Sequence, residues 1–308
     1  MKRIIMSAVM VLLSIIAVFI GNRVYFRFTS PSTPTASLAT TTTTPITTTI
    51  PTENEQREFS FTEAQQQRLV SMLQQYGGNI SLYFEDLHSG YVFSYQDEIL
   101  FTAASIVNAP YCMYLLDMAI QGKCDLNEKI TYTPDIPSDG TGIVKNAAFG
   151  TRFTVSQLIE CAIRHSDNIA LRMLRDAYPA AGFLQYSKTL GIENTDAIHN
   201  ITGARINAKD TAVYMKAIYA FIQNNSDEGT VLREHMMNTI NPMFTSSYDL
   251  IRKYGWAPKA FHEAAIIDAP HPYILVFLTD HSEGTDADFQ MFRTISQTIE
   301  KLSVQSDI

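Results

Sequence analysis

Ser105 is the first residue in this chain that invites a chemical reading. It lies in Phe101-Thr-Ala-Ala-Ser105-Ile-Val-Asn108-Ala-Pro-Tyr111, where a strand-like segment runs straight into a helical one. A hydroxyl at the start of a helix sits in a field that favours negative charge, which suits a nucleophile or an oxyanion. Most serines placed there do nothing more than cap the helix, so Ser105 by itself implies little. Two further clusters follow in order. Arg164-His165-Ser166-Asp167-Asn168 sits within a second helical stretch, and Arg252-Lys253-Tyr254-Gly255-Trp256 comes after a long helical insert.

A Ser-x-x-Lys, a Ser-Asp-Asn and a Lys-Thr-Gly in that order are the signature of class A β-lactamases and penicillin-binding proteins. From about Ile80 to Ile299 the chain resembles that serine hydrolase family. The resemblance includes Asp125-Leu-Asn-Glu-Lys-Ile-Thr-Tyr132, Gly140-Thr-Gly-Ile143, Phe153-Thr-Val-Ser-Gln-Leu-Ile159 and the strand pair around His262. It implies that Ser105 attacks a carbonyl, that Ser166 relays a proton, and that Lys253 is an electrostatic partner or a substitute base acting through Ser166. It also implies that Asn168 binds a substrate amide and that Asn108, Tyr254 and Gly255 line the substrate site. The chain departs from the pattern in three places. The motif lysine is Asn108, whose amide is not basic, and serine is a poor nucleophile until a base takes its proton. Tyr254 replaces the hydroxyl residue that binds a carboxylate. The loop from Leu190 to Asn207 is short, and Glu193 and Asp196 within it do not match the family's deacylating glutamate. The Ser-Asp-Asn cluster would equally arise if it only capped and braced helices.

Other chemistry is poorly represented. His262-Glu263 is not followed by a second histidine at helical spacing, so a metalloprotease helix is not expected. Cys112, Cys124 and Cys161 lack the close pairing of a zinc site and read as small apolar residues packed in helices. Neither a metal nor another cofactor is expected. Trp256, the only tryptophan, reads equally as groove lining or as an ordinary core contact. The net charge of -8 would meet net repulsion from a phosphate backbone, so a nucleic-acid partner is not expected.

These residues need elements to hold them. Apolar spacing predicts helices over 61–76, 105–120, 155–176, 208–222, 230–237 and 286–302. Met113, Leu116 and Ile120 are expected to form the buried face of the helix after Ser105. Alternation predicts one hairpin over 80–87 and 91–95 and another over 261–267 and 273–279. Strands at both ends of the chain and helices between them imply an α/β (α+β) fold. Its β-lactamase-like antiparallel sheet would be flanked by helices, with an all-helical subdomain inserted. The expected division is 59–308 as one domain, with a sheet part of about 59–104 and 238–308 and a helical part of about 105–237.

Ahead of that domain, Lys2 and Arg3 precede an apolar run from Ile4 to Ile20, so 1–23 reads as a signal anchor or transmembrane helix with its basic end in the cytoplasm. No small-x-small site follows the run, which favours a retained anchor over a cleaved, secreted form. Residues 24–58, dominated by Thr, Pro and Ser, read as a disordered stalk. The expected protein is membrane-anchored and extracytoplasmic. It acts on or recognises β-lactams or peptidoglycan stem peptides, with weak or absent hydrolysis because of Asn108. The alternative is a non-catalytic envelope module, a pseudoenzyme that binds a wall peptide or a partner protein.

Overall fold

The structure is a computed structural model that describes residues 59–136, 140–198 and 203–304. The expected anchor (1–23) and stalk (24–58) lie outside the described residues. Among the described residues no helix is long and apolar enough to cross a membrane.

The first helix, α1 (Glu63–Leu73), opens on a capping box in which Thr62 and Gln65 satisfy each other's backbone donors. Strands β1 (Ile80–Asp86) and β2 (Val92–Tyr95) form the first hairpin. The two-residue β3 (Phe101–Thr102) leads into a 3₁₀ turn, Ala104–Val107, and then into α2 (Asn108–Ile120). Short strands β4 (Lys129–Thr131) and β5 (Arg152–Thr154) pair before α3 (Val155–Arg164), α4 (Asn168–Ala177), α5 (Ala180–Thr189) and α6 (Thr195–Ile198). Strand β6 (Arg205–Ile206) pairs with β3 and is followed by α7 (Ala208–Gln223) and α8 (Asp227–Met237). The described residues close with β7 (Leu250–Ala257), β8 (Ala260–Ile267), β9 (Tyr273–Thr279) and α9 (Asp286–Val304).

The main sheet has the order β2-β1-β9-β8-β7, and every neighbouring pair in it is antiparallel. The first hairpin therefore joins strands from the far end of the chain, as strands at both termini imply. Side chains alternate along β9: Ile274, Val276 and Leu278 enter the core under the helices, while Tyr273, Leu275 and Phe277 enter the core under α1 and α9. With both faces covered, β8 and β9 are buried along their whole length and read as almost continuous apolar runs.

Three expectations change. The inserted part of about 105–237 is not all-helical, because it carries the paired β4 and β5 and also β6, which pairs with β3. The stripe on α2 fails at its end: Met113 and Leu116 are buried, but Ile120 is 50% exposed. From Asn108 to Met113 every residue of α2 is buried, because neighbouring elements cover it on more than one side, and the helix emerges only in its last turn. The helix expected over 155–176 is two helices, α3 and α4. Ser166 takes a left-handed φ of 48° and Asp167 leaves the helix to cap α4, accepting from the amides of Ile169 and Ala170. A β-region cap residue is incompatible with a continuous helix.

Candidate active site

Ser105 sits in the 3₁₀ turn ahead of α2, partly buried, and its hydroxyl has no hydrogen-bond partner among the described residues. Ala104, immediately before it, is held at φ 48°, a conformation that costs an L-residue free energy and persists only where the surroundings impose it. Two contacts do so. His262 on β8 points Nε2 at the Thr102 carbonyl, 2.8 Å away, while its Nδ1 accepts from the Thr279 amide at 3.1 Å. That pattern makes Nε2 the protonated nitrogen. Burial pulls the ring down to about 4, so it is neutral at physiological pH. The second contact is Gly255 on β7. A Cβ there would stand 3.1 Å from the Ala103 carbonyl oxygen and 3.2 Å from the Ile106 nitrogen. Gly255 thus lets the strand approach the serine turn.

Alternation along β7 places Lys253 on the same side as Gly255, and its amine is completely buried. It donates to the Ser166 hydroxyl and, at 2.9 Å, to the Tyr254 carbonyl. Burial pulls it from an ordinary 10.5 down to about 7, against the opposing pull of Cys112 and Glu263. Lys253 and Ser166 lie 87 residues apart in sequence and are joined here.

Ser166 is presented by the break between α3 and α4. The Asp167 carboxylate fixes that break with four amides, two from α4 and two from Ile143 (2.6 Å) and Val144 (2.8 Å). Thr141 closes the same contact, donating its hydroxyl to the Ser166 carbonyl at 2.7 Å. Gly142, at φ 120°, has no room for a Cβ, which would fall 2.1 Å from the Asp167 Cγ. Asn168 is exposed beside this loop, its Nδ2 lying so close to Gly140 that a Cβ there would fall 2.1 Å from it, while its backbone N–H donates to the Thr141 carbonyl.

The other expected site residues are placed differently. Asn108 is buried and donates its amide to the Ala162 carbonyl on α3 at 3.2 Å, while its Oδ1 has no partner among the described residues. Its side chain braces two helices and makes no hydrogen bond to the Ser105 hydroxyl. Tyr254 enters the core under α1 and α9, its hydroxyl 3.4 Å from Asn241 Nδ2. The ring still lies under Lys253, whose amine is 4.2 Å from its centroid. Glu193 is engaged at the surface by Lys209 at 3.0 Å. Trp256 packs against Phe261 and Phe289 and donates to the Ser282 carbonyl, but it is 39% exposed and is not part of either core. Among the described residues no group of three or more His, Cys, Asp or Glu side chains is placed to hold a metal.

Sequence reasoning passed over the roles of Thr141, Gly142 and Asp167 as a latch. It also passed over the Glu263 carboxylate behind β7, which accepts from the Met243 and Phe244 amides and lies 3.7 Å from Arg252. The glycines of Gly140-Thr-Gly142 were a usable signal for close backbone approach.

Comparison with known proteins gives a consistent picture. A family model described as the β-lactamase enzyme family matches residues 63–302. The β-lactamases ROB-1 of Haemophilus influenzae and of Mannheimia haemolytica are each 32% identical over 126 residues, 41% of this chain and 39% of the relative. The match thus spans about two fifths of the length of those curated relatives. Among solved structures, PBP-A superposes with a TM-score of 0.70 at 19% identity, covering 80% of this chain and 97% of that one. An L158E mutant of PBP-A is known as an acyl-enzyme complex with penicillin G. A β-lactamase from Sphaerobacter thermophilus superposes at 0.71 with 16% identity, covering 80% and 98%. At these identities the structural likeness speaks to the fold.

Proposed function

Because the chain belongs to the β-lactamase enzyme family, we propose that its Ser105 site recognises β-lactams or peptidoglycan stem peptides outside the cytoplasmic membrane, with hydrolysis weak or absent. One observation carries this reading: the Ser105 hydroxyl has no basic partner among the described residues, and Asn108 is turned away to the Ala162 carbonyl. Loss of a general base costs about 10²- to 10⁴-fold in rate. Lys253, whose amine is neutral in part of the population near pH 7, is bonded to Ser166, but no hydrogen bond among the described residues joins Ser105 to either. Acylation through that pair requires Ser105 to turn onto Ser166 when substrate binds, which fits a slow reaction at most.

A second reading, binding without any acylation, is favoured by Tyr254. Its ring lies in the core under α1 and α9, so the residue at the carboxylate-binding position of the motif offers no free hydroxyl there. Mass spectrometry of the protein after exposure to a reactive β-lactam separates the two. An adduct that is absent from Ser105→Ala supports slow acylation; no adduct in either protein supports the binding module. Asn108→Lys is expected to raise the acylation rate about 100-fold or more. An unchanged rate in that variant would mean that the departure at 108 is not what limits the site.

The proposed location rests on Lys2, Arg3 and the apolar run from Ile4 to Ile20, with 24–58 as a spacer. In cell fractionation the full chain is expected in the membrane fraction and resistant to alkaline extraction. Recovery of the full chain in the soluble cytoplasmic fraction would overturn this assignment.

A further inference from the structure

A cavity of about 240 Å³ lies against β3, the strand that runs into the Ser105 turn, and its lining includes Phe101, Thr102, Arg205, Lys259, Asn79 and Asp280. The lining also includes the apolar residues Ile99 and Leu100, both partly buried. Two cations and one carboxylate reach it, an excess of one positive charge, and the carboxylate is tied by neutral donors that leave its charge in place. Asp280 accepts from the Asn79 amide nitrogen at 2.9 Å and from Asn79 Nδ2 at 2.7 Å. Gly78, at φ 80°, leaves it no slack, since a Cβ there would meet Asp280 Oδ1 at 2.5 Å.

The cations are in a different situation. Arg205 donates from Nη2 to the Leu100 carbonyl at 2.6 Å, which fixes the guanidinium at the cavity while most of its five N–H groups remain for another acceptor. It makes no ion pair with a described residue. Lys259 stands in the turn between β7 and β8 at φ 57°, where glycine or asparagine would be less strained. Its ammonium is exposed and has neither a hydrogen bond nor an ion pair among the described residues. The Thr102 side chain is also exposed, and its hydroxyl is unbonded among the described residues.

We infer that this cavity is a second ligand site, separate from Ser105, for a small carboxylate carrying an apolar group. The carboxylate lies between Lys259 and Arg205 and the apolar part against 99–101. The volume is below that of a drug-sized pocket, which limits the occupant to a small molecule or the C-terminal residue of a peptide. The inference does not depend on Ser105 being reactive.

The test is a ligand-observed NMR titration of the full-length protein with 3-phenylpropanoate, with 3-phenylpropanamide as the uncharged control and inorganic phosphate as competitor. The expected result is saturable binding of the carboxylate with a Kd on the order of 1 mM, as befits a small ligand on exposed charges. The amide is expected to bind at least ~10-fold more weakly, and the carboxylate itself to weaken at high salt. Lys259→Glu, at an exposed turn, should weaken carboxylate binding at least ~5-fold with an unchanged denaturation midpoint, while Ser105→Ala leaves it unchanged. Equal binding of acid and amide, displacement by an equal concentration of phosphate, insensitivity to Lys259→Glu, or no saturation up to ~50 mM would each overturn the assignment.

Discussion

Lys253 is a residue whose burial has a measurable consequence, because it is cationic by type, completely buried and bonded to Ser166. Its folded value of about 7 lies below its ordinary 10.5, so between those two limits the unfolded chain holds a proton that the folded protein has released. Stability therefore rises with pH across that window, and the full penalty of the buried charge persists below about pH 7. Lys253→Met removes the contribution. Denaturant midpoints measured from pH 7 to 10 should climb less in the variant than in the parent, with equal or higher stability at pH 7. Identical slopes would mean that the amine stays protonated in the fold. Asn108 contrasts with it at the same scale. A neutral amide that satisfies one buried carbonyl, and whose own Oδ1 has no partner among the described residues, is a packing group rather than a base.

At the scale of elements, the break between α3 and α4 is held by one carboxylate. Asp167→Ala leaves four amides without their acceptor, at Ile143, Val144, Ile169 and Ala170, and should cost about 3–4 kcal/mol. Hydrogen exchange should accelerate at Ile143 and Val144 together with the first turn of α4. If only the α4 amides respond, Asp167 is a simple cap and the loop is held by other contacts. The break itself is partly legible in the sequence. Aspartate followed by asparagine is a helix-start signal, yet the apolar spacing of Leu158, Ile159, Ala162, Ile163, Ile169, Ala170 and Met173 runs through it. Both helices bury a face in the same core, so the hydrophobic pattern carries no mark of the interruption.

Across the whole molecule, the sheet is shared by two cores, and that couples the Ser105 side to the far side. Phe292 on α9 is fully buried, with ring centroids 4.8 Å from Phe277, 5.2 Å from Phe261 and 5.6 Å from Phe244. Phe292→Ala should cost about 3–5 kcal/mol. Because β8 and β9 line both cores, the loss should be felt as one event. Fluorescence of Trp256, which packs near α9, and far-ultraviolet circular dichroism should give coincident unfolding curves in parent and variant. Separated curves would show that the two cores unfold independently.

What the sequence by itself determined is local or periodic. It includes the serine before a helix, the order of the three clusters, the two hairpins and an asparagine three residues after Ser105, all of which depend on residue type and spacing along the chain. The strand at Leu250–Ala257 escaped it, since Arg252, Lys253 and Gly255 break the apolar alternation that marks a half-buried strand. Only the tertiary structure decided which side of that strand each residue faces. It sends Tyr254 to the core under α1 and α9, brings Lys253 to Ser166 and turns Asn108 to Ala162. The physical reason is that those outcomes depend on register and on the packing of segments more than fifty residues apart, where one step along a strand reverses the face a side chain occupies.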